Sequence, residues 1–167
     1  MGIPPVDPNR STALMRAAVS FVRSPAGRWF GINVSAKVDP FLLKASRGRV
    51  STFAMAPVVA LTVPGRKSGE PRTTPLIYFT HGEEVILIAS SFGREKHPAW
   101  YHNLKAHPEA TLTAKGRSGT YVAREVQGEE RDRLYALAER LYAGYADYVV
   151  RAAAAGRTIP VMALRPA

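Results

Sequence analysis

Hydrophobic and polar positions follow one pattern up to about Val50 and a different one after it. In the first stretch the spacing predicts a helix over 12–23, with Ser11 or Thr12 as N-cap. Leu14, Ala17, Ala18, Phe21 and Val22 fall near one face of it, and Arg16 and Arg23 on another. Ser24-Pro25-Ala26-Gly27 breaks that helix, Trp29 and Phe30 follow, and a second short helix is expected over 38–46. Residues 1–11, rich in proline and polar groups, are expected to be poorly ordered. After Val50 short β-favouring runs take over, at Val58–Val63, Thr74–Phe79 and Glu84–Ser90. The core of the last run is continuously apolar, which predicts a strand buried on both faces.

Pro98 to Ala106 reads as a helix with proline in its first turn, its side formed by Ala99, Trp100, Asn103 and Leu104. Glu109–Ala114 and Gly119–Val126 read as a hairpin across Lys115-Gly116-Arg117-Ser118. Glu129 to Tyr142 is an amphipathic helix with acids at its start and a stripe of Leu134, Leu137, Ala138 and Leu141. A further helical piece runs to Ala154 and stops at Gly156, and Ile159–Leu164 is a closing strand. Hairpins dominate this order, so the fold class is α+β. About six short, mainly antiparallel strands suit a small barrel over 51–167, preceded by a helical extension over 1–50.

Composition adjusts this picture in three places. At 167 residues, 46% hydrophobic, the chain supports one sizeable core. It has no cysteine, which excludes disulfides and thiolate metal sites. It has no apolar run long enough to cross a bilayer as a helix, and its first residues lack the layout of a secretory signal, so a cytoplasmic protein is expected. The formal net charge of +10 favours anionic partners. Residues 1–50 hold eight Lys and Arg against two acids, so the 12–23 helix either lies on an anionic membrane or packs on the domain.

The chemistry-bearing stretch is Gly65–Pro75, expected as a hairpin loop. Arg66, Lys67 and Arg72 face a single acid, Glu70, and Ser68, Thr73 and Thr74 add hydroxyls. With Gly65 and Gly69 allowing close approach, this is either a solvated basic turn or a cradle for a phosphate or carboxylate. The histidines His97, His102 and His107 are spaced by five, which does not build a helical metal site, and no metal is expected. No Gly-x-Ser-x-Gly elbow, Walker loop or dinucleotide loop is present, and no nucleophile stands out beside its base. An enzyme of this sequence would therefore leave the chemistry to a cofactor. Ser90-Ser91-Phe92-Gly93-Arg94 follows a buried strand and so places hydroxyls and amides at its end. Tyr142, Tyr145 and Tyr148, spaced by three, form an aromatic wall on a helix or else pack into the core.

Leu61-Thr-Val-Pro-Gly-Arg-Lys-Ser-Gly-Glu-Pro-Arg-Thr-Thr-Pro-Leu-Ile-Tyr78 resembles the signature of the deazaflavin-dependent nitroreductases. The likeness continues through Ile86–Ser91, Lys96–Pro108, the three tyrosines and Arg157–Pro160, covering about residues 55–166. It implies a split β-barrel of the FMN-binding type that binds reduced coenzyme F420. Its implied reaction is hydride transfer to a quinone, a nitroaromatic compound or another activated double bond. Arg66, Lys67, Ser68 and Arg72 match the segment holding the cofactor's phosphate and acidic tail. Thr73, Thr74, Pro75, Leu76 and Ile77, with Ile88, Ala89, Ser90 and Ser91, match segments lining the deazaflavin. Ala99, Trp100, Tyr101, His102 and Asn103 match the helix start that covers it. Tyr142, Tyr145 and Tyr148 match the substrate-side tyrosines, with Tyr145 the foremost substrate contact, and Ser90 matches a serine at the ring.

The chain departs from some relatives at Ser91, where a phosphate-binding lysine stands, and at Ile77, where a tyrosine stands; Arg94 or an N-terminal arginine is the expected replacement cation. Two alternatives remain at this point. One is a flavin-mononucleotide oxidoreductase on the same barrel. The other is a basic nucleic-acid-binding module, which needs aromatics interleaved with cations, whereas these tyrosines follow an acidic helix start. A quinone acceptor would make peripheral contact with the inner face of a membrane useful.

Overall fold

The computed structural model describes residues 2–10, 24, 27, 33–34, 36–46 and 56–167. The helix expected over 12–23 lies outside them, as do Trp29 and Phe30. The second expected helix is present as α1 (Ala36–Ala45), which packs against the first two strands and buries Asp39 in its first turn.

The β-branched run at Val58 forms β1 (Val58–Pro64), whose alternate residues Val59, Leu61 and Val63 all point into one cluster. It pairs with β2 (Pro71–His81), which pairs in turn with β3 (Glu84–Ile88). After α2 (Ala99–Ala106) come β4 (Glu109–Ala114) and β5 (Arg117–Val126). Then α3 (Gly128–Leu141) and α4 (Gly144–Ala154) lead into β6 (Val161–Pro166). The strands close into a barrel in the order β1-β2-β3-β6-β5-β4, with β4 bonded back to β1 and every pairing antiparallel. This is the six-stranded antiparallel α+β barrel expected from the hairpins.

Two cores hold it. Alternate residues of all six strands, among them Leu61, Tyr78, Leu87, Leu112, Tyr121 and Met162, fill the barrel. On its outer face Phe79, Ile86, Ile88 and Val161 pack under α3 and α4 against Leu134, Ala138 and Ala152. β3 serves both cores, Val85 and Leu87 inside and Ile86 and Ile88 outside, as its unbroken apolar run predicts. Each large apolar side chain so buried contributes about 1.5–3 kcal/mol.

Four expectations change. Residues 2–10 are tied to the barrel. Ile3 N donates to Tyr121 Oη (2.9 Å), Tyr78 Oη donates to Pro4 O (3.0 Å), and Val6 exchanges bonds with Thr80. Pro4 and Pro5 favour an extended backbone, which suits a strap as well as a disordered tail, and Pro8 sits in a turn closed by Arg10 N donating to Asp7 O. The first hairpin loop is only Gly65–Glu70, because β2 begins at Pro71, paired with Pro64. Thr62 and Thr73 join their hydroxyls across that pair at 2.9 Å. The second hairpin turns on Lys115 and Gly116 alone, both at positive φ (48° and 78°), the geometry that matches strand twist. On α2, Ala99 is exposed and Tyr101 is buried in its stead.

Candidate active site

β3 ends at Ile88, and the chain then makes a tight turn across the barrel rim. Ala89 N donates to Pro160 O (3.0 Å), Gly93 N to Ser90 O (2.9 Å) and Arg94 N to Ser91 O (3.1 Å). Ser91, Phe92 and Gly93 all lie in the left-handed region, at φ 51°, 58° and 75°. Two of these residues carry a Cβ, so the turn is strained and has to be held from outside. Gly93 lies against α4, where a Cβ would meet Tyr148 O and Arg151 Cβ at 2.9 Å. The buried Arg157 binds the turn from the other side. Sequence reasoning assigned Arg157 no role: a lone cation after the helix stop at Gly156 gives no periodic signal.

The tyrosines meet by a different route from the one expected. Tyr145 and Tyr148 share α4, but Tyr142 lies before it. α3 stops with Tyr142 in an extended conformation (φ −142°), and α4 starts at Gly144. Tyr142 folds back over Gly144, where any Cβ would overlap the ring and sit 2.6 Å from its oxygen. The rings of Tyr142 and Tyr145 are 5.1 Å apart and nearly perpendicular, those of Tyr145 and Tyr148 6.1 Å, and Tyr142 Oη lies 3.0 Å from Tyr148 Oη. Tyr135 Oη donates to Tyr145 O and holds the start of α4 down. Burial first, then neighbouring Tyr148 and Tyr135, push the Tyr145 phenol well above its ordinary value, so it stays protonated. Phe92 stands edge-on to Tyr148 at 5.8 Å, which joins the strained turn to the tyrosine cluster.

Between these parts lies a cavity of about 290 Å³. Thr73, Thr74, Pro75, Leu76 and Ile77 from β2 form one wall, and Ile88, Ser90 and Ser91 another. Trp100 closes one side and Tyr142, Tyr145 and Tyr148 a further one. Val58, Phe92, Arg94 and Pro98 complete the lining; of these Arg94 was anticipated as a stand-in cation and Phe92 as part of the Ser90–Arg94 stretch. Val58 and Pro98 were missed because an apolar residue at a strand start or a proline before a helix looks like ordinary packing. Ala89 lies in the barrel core and does not line the cavity.

A second hollow, of about 500 Å³, is lined by Arg66, Lys96, His97 and His102 together with Glu95, Ala99 and Asn103. Asn103 Oδ1 accepts from Arg66 N (3.1 Å) and so fixes the loop entrance to α2. The two recesses interleave along the chain, Arg94, Pro98 and Trp100 facing the first and Lys96, His97 and Ala99 the second. Lys67, Ser68 and Arg72 are exposed and line neither. Tyr101 turns away from both, donating to Glu125 at 3.1 Å, while Lys105 pairs with the same carboxylate at 2.9 Å. The Gly65–Glu70 loop is closed by its own main chain, Gly65 N to Glu70 O and Gly69 N to Gly65 O, both 2.8 Å.

Known proteins resemble this chain in sequence and fold. The family model described as F420H(2)-dependent quinone reductase matches residues 37–166. An F420H(2)-dependent quinone reductase of Mycobacterium tuberculosis is 34% identical over 111 residues, covering 65% of this chain and 72% of that protein. Among solved structures, an F420-H2 dependent reductase is 35% identical, with a TM-score of 0.59, over 65% of this chain and 94% of its own. Another, described as a domain-swapped dimer, is 31% identical with a TM-score of 0.61, over 75% of this chain and 92% of its own. The barrel is thus of the split-barrel type, and the chain belongs to the F420H(2)-dependent quinone reductase family.

Proposed function

We propose that the 290 Å³ cavity holds the ring of reduced coenzyme F420 beside a quinone, and that the basic hollow takes the cofactor's anionic tail. The observation that carries this is the pairing itself: an apolar slot with hydroxyl tips opening next to Arg66, Lys96, His97 and His102. The residues fit the group. A planar ring system suits walls made of Ile77, Ile88, Trp100 and Phe92, and a phosphate or carboxylate suits arginine and lysine at the rim. Lys67, Ser68 and Arg72 remain exposed around that rim and can close on the tail. Arg94, which lines the slot, supplies the cation that Ser91 lacks.

When bound, the reduced deazaflavin supplies the hydride. The chain's task is positioning, since transfer requires the reacting atoms at about 3–3.5 Å. The β2 wall and Trp100 fix one plane, and the tyrosine cluster leaves room for a second planar molecule and excludes water. Tyr145 and Ser90 are the catalytic candidates, because their hydroxyls can donate to the oxygen on which negative charge develops. Tyr145 is kept protonated for this role. Quinones reside in bilayers, and Phe41 (73% exposed) stands one turn from exposed Lys37 on α1, so peripheral contact with an anionic membrane belongs to the same reading.

The test is a fluorescence titration with the deazaflavin, followed by turnover with a quinone, an enone and a nitroaromatic compound. Saturable binding with quinone reduction is expected; no binding, or a protein that purifies yellow with flavin mononucleotide, overturns it. Co-sedimentation with anionic vesicles reads the membrane contact.

A further inference from the structure

Arg157 is the one basic side chain buried among the described residues, and it lines neither recess. Among those residues no carboxylate pairs with it; its partners are main-chain oxygens. Nε donates to Arg94 O (2.8 Å), one terminal nitrogen to Ser90 O (2.6 Å), and the other to Ala89 O (3.1 Å), the last also lying 3.1 Å from His97 Nδ1. Three carbonyls from one six-residue turn thus converge on a single guanidinium. The segment they belong to contains Ser91 and Phe92 at positive φ, a conformation costing roughly 1–2 kcal/mol for each residue bearing a Cβ. Converging carbonyl dipoles repel unless a cation sits between them, so without it the turn relaxes.

We infer that Arg157 is a positioning residue, whose guanidinium clamps residues 89–94 so that Ser90, Ser91, Phe92 and Arg94 face the cavity, with His97 as the clamp's outer acceptor. That the clamped turn serves deazaflavin binding rests on the proposed function; the clamp itself does not. A planar fork with five donors reaches three divergent oxygens and an imidazole at once, which the point charge of a lysine cannot do. His97 has to accept at Nδ1, because the guanidinium only donates, so its ring is the neutral tautomer. Burial holds its pKa below the ordinary 6.5, with Arg157, His102 and Lys105 acting in the same direction and Glu125 opposing. The Tyr101 ring packs beside it at 5.0 Å. As pH falls from 6.5 into that lowered range, His97 gains a proton at Nδ1, loses its acceptor and loosens the clamp.

The test compares wild type with Arg157→Lys, Arg157→Gln and His97→Asn, whose amide oxygen replaces the Nδ1 acceptor. Amide hydrogen exchange, corrected for its intrinsic pH dependence, is measured on the cofactor-free protein between pH 5 and 8, and deazaflavin affinity of the Arg157 variants at pH 7. Both Arg157 variants should exchange the 89–94 amides about tenfold faster, with β1 and β4 unchanged, and bind the deazaflavin about tenfold more weakly. Because His97 also lines the proposed tail hollow, His97→Asn is read by exchange alone: its 89–94 amides should stay as protected as wild type at pH 7 and lose the extra opening that wild type shows on the acid side. Unchanged 89–94 exchange, equal loosening of β1 and β4, or full rescue by lysine would each overturn the clamp. A pH profile unaltered in His97→Asn removes His97 from it. If the wild type binds no deazaflavin, the proposed function fails, while the exchange data still decide the clamp.

Discussion

The Gly65–Glu70 loop and the 89–94 turn both join barrel elements at the site, and both carry a glycine at positive φ, Gly69 at 69° and Gly93 at 75°. The first is closed by bonds between its own residues and is flanked by a paired hairpin. Its cations are exposed, Lys67 to solvent and Arg66 along the basic hollow. The second puts two Cβ-bearing residues into the left-handed region and is held by Arg157, more than sixty positions away, and by the backbone of α4. A basic loop that closes on itself can vary without disturbing the barrel. A strained turn held by distant groups transmits any loosening of α4 or of the Arg157 segment directly to the cavity wall.

The sharpest way to break this contrast is a pair of glycine substitutions. Gly93→Ala adds a Cβ 2.9 Å from Tyr148 O at positive φ and should cost about 3 kcal/mol in urea unfolding. Gly69→Ala meets nothing within 4 Å and should cost only about 1 kcal/mol. Equal losses would show that the 89–94 turn is no more constrained than the hairpin loop.

Next in size is Gly144→Ala, which drives a Cβ into the Tyr142 ring and should cost about 2 kcal/mol. Because it disrupts the tyrosines and not the β2 wall, steady-state kinetics should show a raised KM for the quinone with deazaflavin affinity within about twofold of wild type. Lys67→Ala probes the other loop. It should leave the urea midpoint unchanged, weaken deazaflavin binding about tenfold, and flatten the salt dependence of that binding. A stability loss comparable to that of Gly144→Ala would mean the loop is structural after all.

The smallest expected effect lies at Glu125, on the far side of α2. Burial alone would raise its carboxyl, but bonds from Lys105 and Tyr101 hold it below the ordinary 4.5. A carboxyl depressed in the folded state stabilises above its unfolded value, so this contribution is present above pH 4.5 and is lost as pH falls through the lowered value. Urea midpoints at pH 7 and pH 3 should differ less in Glu125→Gln than in wild type, while deazaflavin affinity at pH 7 stays the same. A change in affinity would mean that Tyr101 and Glu125 feed into the site.

The barrel was legible because its signals are short-range. The alternation in Val58–Val63, the unbroken run at Val85–Ile88 and the glycine at each hairpin specify strands and turns within a few residues. The cations at Arg66 and Lys67 and the serines at Ser90 and Ser91 were readable for the same reason. Proline at Pro4, Pro5 and Pro8 was read as disorder, since the acceptors that tie this segment down, Tyr121 and Thr80, are more than seventy residues away.

The sequence by itself determined which segments are strands and helices, which residue types can meet an anion, and where hydroxyls stand at strand ends. Those properties follow from local backbone preference and side-chain chemistry. The tertiary structure decided that the three tyrosines converge through a helix break, that Lys67, Ser68 and Arg72 stay outside both recesses, and that Arg157 grips the turn beside Ser90. Barrel closure makes these choices, because bringing β6 beside β3 places the chain after Gly156 against the end of Ile88, a proximity that no local pattern encodes.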